Sequence, residues 1–326
     1  MKIDLSTTYA GLELKSPIIV GSSGLTRDVN KCKAYEEAGA GAVVLKSLFE
    51  EQIERQANSI LYEEDHPEAD FLRDYLLSNQ MGDYMEMIKK TKEVCSIPVI
   101  ASINCYDTSD NWATFAKEVE AAGADAVELN LFIQATELMH DGSSIRDKYL
   151  AIVKKVRKAV KIPFMVKISK TVGNVTALVY AMQAQGANGF VLFNRYYQPD
   201  VDLDNLKLVG ANLFSSPTEI GDTLRWTAIV SGKIQNVSIA ATTGVHDWKA
   251  VTKCILMGAS AVEMCSAIYK HGPQVITESL EQLQAWMGTK GYESIIDFKG
   301  KLNSSAFGDP TIYERTQFMK YYSSHE

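Results

Sequence analysis

The sequence predicts a (β/α)8 barrel, the TIM-barrel form of the α/β class. Two recurring patterns and their alternation along the chain carry the prediction. The first pattern is a glycine, a small residue and a short apolar run, at Gly39–Leu45, Gly123–Leu129, Gly186–Leu192 and Gly258–Met264. Each copy follows a stretch with helical apolar spacing. It therefore indicates a helix that ends in a left-handed glycine and is followed by a buried strand.

The second pattern is a continuous apolar run that begins near a proline, at Ser16–Gly21, Ile97–Ser102, Ile162–Lys167 and, without the proline, Asn236–Ala241. Proline suits the first residue of a strand, where no ladder donor is needed. Apolar residues throughout the run are typical of parallel strands that are covered on both faces. Interleaved, the two series predict strands at about 17–21, 41–46, 98–103, 124–130, 163–168, 188–193, 237–241 and 260–264.

A helical segment after each of these strands is the arrangement of a closed parallel barrel. An open, doubly wound sheet is the alternative, but it predicts an early G-x-G-x-x-G turn, which Gly21-Ser22-Ser23-Gly24 does not provide. We expect one domain over residues 1–326. It carries an insertion at about 48–79, before a helix at about 82–94, and a tail after about 302. This insertion and the loop at 196–217 are candidate lids, subunit contacts or solvated decoration.

Composition limits the function classes. The chain has 326 residues, 46% hydrophobic residues and a net charge of -7, which is enough apolar material for a large core. Charges of both signs are spread along the chain, so a nucleic-acid partner is not expected. No apolar run reaches membrane-spanning length, and Met1–Asp4 contain no secretory h-region. Five cysteines without a CxxC pair predict reduced thiols in the cytoplasm and no metal site.

In a barrel, chemistry takes place at the carboxyl ends of the strands. The sequence places there Ser22, Ser23, Gly24, Lys46, Ser47, Asn104, Cys105, Asn130, Lys167, Asn194, Thr242, Thr243, Gly244, Cys265, Ser266 and Ala267. Lysines and amides suit an electron-rich heterocycle, and small residues that expose backbone N–H groups suit a phosphate. Thr242–Gly244 is also compatible with a simple turn and helix cap.

Lys167 is the least ambiguous of these residues. Val166 and Ile168 flank it within an apolar run, so its side chain is expected to enter the barrel mouth, where an idle charge is costly. Glu128 and Glu263 also lie within predicted strands. Because charged groups inside barrels often pair with one another, we interpret these two as structural.

In their order along the chain, these residues resemble the dihydroorotate dehydrogenase family, especially its soluble class 1 branch. The resemblance rests on Leu45-Lys46-Ser47, Glu128-Leu129-Asn130-Leu131, Val166-Lys167, Phe193-Asn194, Thr243-Gly244-Val245 and the C-terminal run Gly291–Leu302, and it extends from Leu5 to about Leu302. It implies an FMN flavoprotein of pyrimidine biosynthesis that oxidises dihydroorotate to orotate by hydride transfer to flavin N5. It also implies a homodimer.

The resemblance assigns roles to individual residues. Lys46, Asn130 and Asn194 become catalytic, with Asn194 on the pyrimidine. The implied cofactor-binding set is Ser22, Ser23, Gly24, Lys46, Ser47, Asn104, Asn130, Lys167, Thr242, Thr243, Gly244, Cys265, Ser266 and Ala267. Within it Lys167 holds the flavin ring, and Thr243-Gly244 and Ser266-Ala267 cradle the phosphate.

The departures from the family pattern concern the substrate. Ile133 stands where the family has its cysteine or serine base, Ala135 replaces a substrate-binding asparagine, and Arg195 replaces a serine. FMN binding needs none of the family groups that are lost at these positions. Cys105, Thr136 and His140 are the candidates for a substitute base.

Three hypotheses follow. The first is an FMN oxidoreductase for dihydroorotate, a related pyrimidine or another unsaturated compound. The second is a non-catalytic or electron-transfer subunit that binds FMN. The third is a barrel lyase in which Lys46 or Lys167 forms a Schiff base. The electron acceptor stays open, with fumarate or a redox protein as candidates.

Overall fold

The structure, a computed structural model, describes residues 3–50, 69–105, 108–133, 141–196, 198–210, 212–306 and 311–314. The strands are β1 (Thr7–Tyr9), β2 (Leu12–Leu14), β3 (Ile18–Val20), β4 (Ala42–Val44), β5 (Leu48–Phe49), β6 (Val99–Asn104), β7 (Ala126–Asn130), β8 (Phe164–Ile168), β9 (Gly189–Leu192), β10 (Pro199–Asp202), β11 (Lys207–Gly210), β12 (Ile239–Ala241) and β13 (Ala261–Met264). The helices are α1 (Val29–Glu37), α2 (Ala69–Val94), α3 (Asn111–Ala121), α4 (Gly142–Ala159), α5 (Val175–Ala184), α6 (Ile220–Lys233), α7 (Trp248–Leu256), α8 (Ser266–His271), α9 (Gln274–Lys290) and α10 (Thr311–Glu314).

Eight parallel strands close into a barrel. Their order is β4-β3-β13-β12-β9-β8-β7-β6, and β6 pairs back to β4. Each of the eight lies at a position predicted from the sequence, with its ends within two residues of the prediction. The closed ring confirms the (β/α)8 barrel over the open sheet.

The two-residue period of the strands sorts side chains between the interior and the surrounding helices. In β8, Met165 belongs to the apolar cluster inside the barrel, while Val166 packs in the outer cluster against the helices. The same period points Lys167 inward, one layer above Met165. The corresponding inward positions of β7 and β13 are Glu128 and Glu263, so a polar layer lies on an apolar base.

The repeated glycines end the helices that precede strands, as predicted. Gly39, Gly123, Gly186 and Gly258 have φ values of 104°, 94°, 104° and 107°. L-residues with a Cβ rarely adopt this backbone conformation. In the described part of the chain, no helix is long and apolar enough to cross a membrane.

An N-terminal hairpin closes the end of the barrel that is opposite the strand C-termini. β1 pairs antiparallel with β2, and Tyr9 and Leu14 join the interior cluster with Met165 and Ala126. The sequence patterns did not predict this hairpin, because its strands are three residues long and carry no barrel repeat.

The long loops differ from expectation in one respect. The helix after the second barrel strand was predicted at about 82–94, but α2 already begins at Ala69. Gly82 lies within this helix, and a Cβ at that position would meet no other atom within 4 Å, so no contact requires glycine there. The loop at 196–217 contains the antiparallel hairpin β10–β11. Residues 51–68 of the insertion and 315–326 of the tail lie outside the described residues.

Candidate functional site

A cavity of about 480 Å³ opens at the carboxyl ends of the barrel strands. Small-molecule sites commonly measure about 300–1,000 Å³. Most residues predicted for a site line this cavity, namely Ser22, Ser23, Gly24, Lys46, Ser47, Asn130, Lys167, Asn194, Thr242, Thr243, Gly244, Cys265 and Ser266. Asn104, Cys105 and Ala267 are not among the residues that line it.

Lys167 lies at the floor of the cavity between two carboxylates. Its Nζ donates to Oε2 of Glu263 at 2.7 Å and lies 3.4 Å from Oε1 of Glu128. All three side chains are buried. Burial lowers the pKa of Lys167, but the two carboxylates outweigh burial and hold this pKa above its ordinary value. Lys167 is therefore a cation, and the expected pairing of buried charges occurs through it.

Glu128 is fully buried beside Glu263. Burial, and then repulsion from Glu263, raises the pKa of Glu128 well above its ordinary value. Oε2 of Glu128 and Oε1 of Glu263 have no hydrogen-bond partner in the described part of the chain. The floor thus places one ammonium group between two buried carboxyl groups, and its contact with Glu263 is the shorter one.

Two amides meet above this floor. Asn130 ends β7, Asn194 follows β9, and Nδ2 of Asn194 donates to Oδ1 of Asn130 at 2.7 Å. Asn130 is also the register partner of Lys167 on the neighbouring strand. Within the described residues, Nδ2 of Asn130 and Oδ1 of Asn194 have no protein partner. One donor and one acceptor are thus available to an amide or imide.

Lys46 brings a second positive charge to the cavity. Its Nζ lies 4.4 Å from the centroid of the Phe49 ring, and none of the described carboxylates pairs with it. Burial lowers the pKa of Lys46, and the charges of Arg27 and Lys167 lower it further. An unpaired cation that is partly withdrawn from water favours an anionic ligand.

A serine chain supports the residue after Lys46. The hydroxyl of Ser47 lies 3.0 Å from that of Ser22 and 2.8 Å from that of Ser102. This chain joins β3, β4 and β6 under the cavity rim. It gives Ser47 a structural role that its sequence position alone did not indicate.

The turn after β12 is backbone-strained and well fixed. Thr243 and Gly244 have φ values of 75° and 82°. Oγ1 of Thr243 donates to the carbonyl of Phe193 at 3.2 Å, and Oγ1 of Thr223 donates to the carbonyl of Thr242 at 2.8 Å. Successive N–H groups in such left-handed turns form concavities that bind anions.

Arg195 fixes one wall of the cavity. Its Nε donates to Oε2 of Glu219 at 2.9 Å, and its terminal nitrogens each donate at 3.1 Å to the carbonyls of Leu213 and Asn212. Arg195, which stands where the family has a serine, therefore holds the loop at Asn212–Leu213 against the site.

Sequence reasoning missed several lining residues, which are Phe49, Leu213, Phe214, Ser215, Val245 and Tyr269. Val245 follows the predicted site residue Gly244 directly, so its position in the sequence could have indicated that it lines the cavity. Leu213, Phe214 and Ser215 lie on the wall loop, and no local signal shows that Arg195 draws this loop inward.

The proton acceptor remains the weakest part of the predicted site. Cys105 is 4% exposed, and burial, followed by the charge of Glu50, raises its pKa well above the ordinary value. Reactive cysteines instead have lowered pKa values and access to solvent, so the structure gives Cys105 no support as a base. Ala135, Thr136 and His140 lie outside the described residues.

The closed barrel and its ligand-sized cavity define a (β/α)8 protein with a candidate site at the strand C-termini. Residues 4–287 match the dihydroorotate dehydrogenase family, and the chain belongs to this family. Members of the family are flavin-dependent oxidoreductases. The match confirms the resemblance found in the sequence.

Curated relatives match the chain over most of its length. The catalytic subunit of dihydroorotate dehydrogenase B (NAD(+)) from Thermoplasma volcanium is 28% identical, with 91% of this chain and 98% of the relative covered. A putative dihydroorotate dehydrogenase A (fumarate) from Aeropyrum pernix is 28% identical, with 91% and 97% covered. The NAD-dependent dihydropyrimidine dehydrogenase subunit PreA of Escherichia coli K12 is 19% identical, with 93% and 77% covered.

Proposed function

We propose that this protein is an FMN-dependent oxidoreductase acting on the CH–CH group of a dihydropyrimidine. Dihydroorotate is the default substrate and a related pyrimidine is the alternative. The observation that carries the proposal is the joint lining of one cavity by Lys46, Lys167, Asn130 and Asn194. The relatives named for dihydroorotate and dihydropyrimidine dehydrogenases support this substrate class.

The donor set of the cavity fits FMN. The left-handed turn at Thr243–Gly244 suits the phosphate, because backbone N–H groups of such turns bind anions. Lys167 suits the edge of the isoalloxazine ring on which negative charge develops. A bound flavin supplies the hydride acceptor at its N5 atom.

The chain's own residues orient the substrate. Lys46 attracts an anionic group such as a carboxylate, and the two remaining amide atoms of Asn130 and Asn194 pair with the pyrimidine ring. The wall held by Arg195 excludes water from one side. Positioning of this kind contributes through geometry and does not require a proton acceptor.

For removal of the substrate proton, the chain has no side chain that can act as a base at the position where the family has one. Ile133 carries no titratable group, and a general base is typically worth about 10²–10⁴-fold in rate. We therefore expect slow turnover of dihydroorotate, or a substrate whose proton is lost more easily.

Ile133 is also the observation that favours an electron-transfer or non-catalytic FMN subunit as a second candidate. A Schiff-base lyase needs a neutral lysine, and Lys167 does not suit it because Glu263 holds this lysine as a cation. Lys46, whose pKa is lowered by burial, is the lysine left to that hypothesis, and borohydride trapping with a carbonyl substrate tests it.

The proposed assembly is a cytoplasmic homodimer that forms through the hairpin β10–β11. Leu203, Leu206 and Leu208 on or beside this hairpin are 79%, 85% and 80% exposed, which is unusual for leucines grouped on one element. Sedimentation of the wild type and of Leu206→Ser tests the assembly, and a monomeric wild type contradicts it.

The deciding experiment is an anaerobic visible spectrum of the purified protein before and after addition of dihydroorotate. A flavin spectrum that bleaches supports the proposed reaction. A flavin spectrum that persists favours the subunit hypothesis or another pyrimidine, and dihydrouracil is the next compound to add. A colourless protein that takes up no added FMN overturns the proposal.

A further inference from the structure

The floor of the cavity contains a carboxylate that the proposed function does not use. Glu263 and Lys167 both line the cavity, and Glu263 accepts from Nζ of Lys167 at 2.7 Å. Glu128 lies 3.4 Å from the same ammonium group but is not among the lining residues. The positive charge of Lys167 is therefore balanced within the protein before any ligand binds.

The neighbouring strand leaves room for Glu263. A Cβ at Gly21 would lie 3.1 Å from Oε2 of Glu263 and 2.8 Å from Sγ of Cys265. Both distances are shorter than ordinary contacts, so a larger residue at position 21 would displace the carboxylate. The 2% exposure of Glu263 shows that the group is enclosed and does not reach the bulk solvent.

Within the floor, Nζ of Lys167 has the carboxyl group of Glu263 at 2.7 Å and that of Glu128 at 3.4 Å. The two carboxyl groups hold the pKa of Lys167 above its ordinary value, and Glu263 is the nearer partner that balances its charge. In a buried site, screening by water is weak, so this balance determines how the floor acts on a bound ring.

We propose that Glu263 is a positioning residue that acts through Lys167 and lowers the reduction potential of a flavin bound in this cavity. The inference rests on the proposed function, because it requires bound FMN. Oxidation of a CH–CH group would break a C–H bond at each of two neighbouring carbons. One hydrogen would leave as a hydride, accepted by the flavin, and the other as a proton released to solvent. Lys167 would face the ring edge on which negative charge develops unless a further proton is taken up from solvent.

An unpaired Lys167 would stabilise that negative charge strongly. A lysine neutralised by Glu263 stabilises it less, so reduction is less favourable and proceeds with uptake of the second proton. A lower potential makes the reduced flavin a stronger electron donor. The floor thus favours passage of electrons onward from the flavin to an acceptor.

The test is potentiometric titration of the FMN-loaded protein against reference dyes, without substrate. In Glu263→Gln we expect the ratio of reduced to oxidised flavin at a fixed potential to rise by about tenfold or more, which is about 30 mV for a two-electron couple. Glu128→Gln is the matched control. Glu128 lies farther from the same ammonium group, at 3.4 Å instead of 2.7 Å, and does not line the cavity, so the potential of Glu128→Gln should change less than that of Glu263→Gln.

The pH dependence provides a second readout. Two protons per two electrons in the wild type predict a potential that falls by about 60 mV per pH unit, whereas one proton in Glu263→Gln predicts about 30 mV. A structural defect alone does not change this slope. Glu263→Asp moves the carboxylate away from Lys167 and should give an intermediate potential, which keeps the test available if the Gln variant fails to load FMN.

The outcomes are distinguishable. A wild type that binds no FMN overturns the proposed function and this inference with it. FMN-loaded Glu263→Gln and Glu263→Asp with the potential and slope of the wild type overturn this inference alone. A rise in Glu128→Gln equal to that in Glu263→Gln also overturns it, because the effect would then not depend on the paired carboxylate.

Discussion

Asn194 donates from Nδ2 to Oδ1 of Asn130 at 2.7 Å, across 64 residues of sequence. The bond fixes the orientation of both amides. The group presented by Asn130 to the cavity is consequently its NH₂ donor, and the group presented by Asn194 is its carbonyl acceptor. The pair behaves as one recognition unit for a ring with an amide or imide edge.

Removal of Asn194 should weaken ligand binding while FMN is retained. Asn194→Ala leaves a buried acceptor on Asn130 without its donor, which costs about 1–3 kcal/mol and corresponds to roughly 5- to 150-fold weaker binding. Titration with orotate, followed by the flavin spectrum, measures this loss. Asn188→Ala is the control, since Asn188 accepts from the backbone of Phe164 at the opposite end of the barrel. Wild-type orotate affinity in Asn194→Ala would contradict the paired role.

Arg195 should not be replaceable by lysine. Its guanidinium reaches Glu219 and two loop carbonyls at once, whereas an ammonium group cannot reproduce this planar fork. We expect Arg195→Lys to bind FMN about tenfold more weakly, equivalent to about 1.4 kcal/mol. Equilibrium titration of the apoprotein with FMN measures this affinity. Glu219→Gln keeps a neutral acceptor and should show a smaller loss. Equal FMN affinity in Arg195→Lys and the wild type would refute the loop-fixing role.

Gly244 and Gly123 separate backbone strain from steric contact. Both have positive φ, but a Cβ at Gly244 would lie 2.4 Å from the backbone nitrogen of Ile220, whereas a Cβ at Gly123 would meet nothing within 4 Å. Gly123→Ala should cost only the left-handed conformation, about 1–2 kcal/mol. Gly244→Ala should lower the unfolding temperature further and impair FMN binding. The unfolding temperature and the amount of FMN retained are measured for both variants. Similar losses of unfolding temperature in the two variants would show that the structure relieves the contact between a Cβ at position 244 and Ile220.

His246 should make stability depend on pH. Its Nε2 lies 2.9 Å from the hydroxyl of Ser215 in the cavity wall, and burial, followed by the charge of Lys270, lowers its pKa below 6.5. The folded protein disfavours the protonated ring. The unfolding free energy should therefore fall as pH decreases from about 6.5 through the lower folded-state pKa.

The comparison for His246 is urea unfolding of the wild type and His246→Gln across this pH interval. The variant cannot titrate at this position, so its stability should fall less steeply between neutral and mildly acidic pH. Parallel curves for the two proteins would show that His246 does not contribute to the pH dependence.

The barrel could be predicted from the sequence because each pattern that indicates a strand or a helix end spans only a few consecutive residues. Each Gly-Ala repeat marks a helix end and the next strand within about seven residues, and each apolar run spans one strand. The predicted position of Lys167 inside the barrel followed from two neighbouring apolar residues, and the structure confirms it. The residues at the strand ends were found by the same local rule.

The sequence by itself determined which residue types stand at the carboxyl ends of the eight strands. The tertiary structure decided how they act. Lys167 pairs with Glu263 across 96 residues, and this contact exists only because the barrel closes and sets the register of β13. The burial of Cys105 and the wall held by Arg195 likewise depend on distant elements. Strand periodicity is a property of a few consecutive residues, whereas charge pairing and burial depend on the whole closed ring.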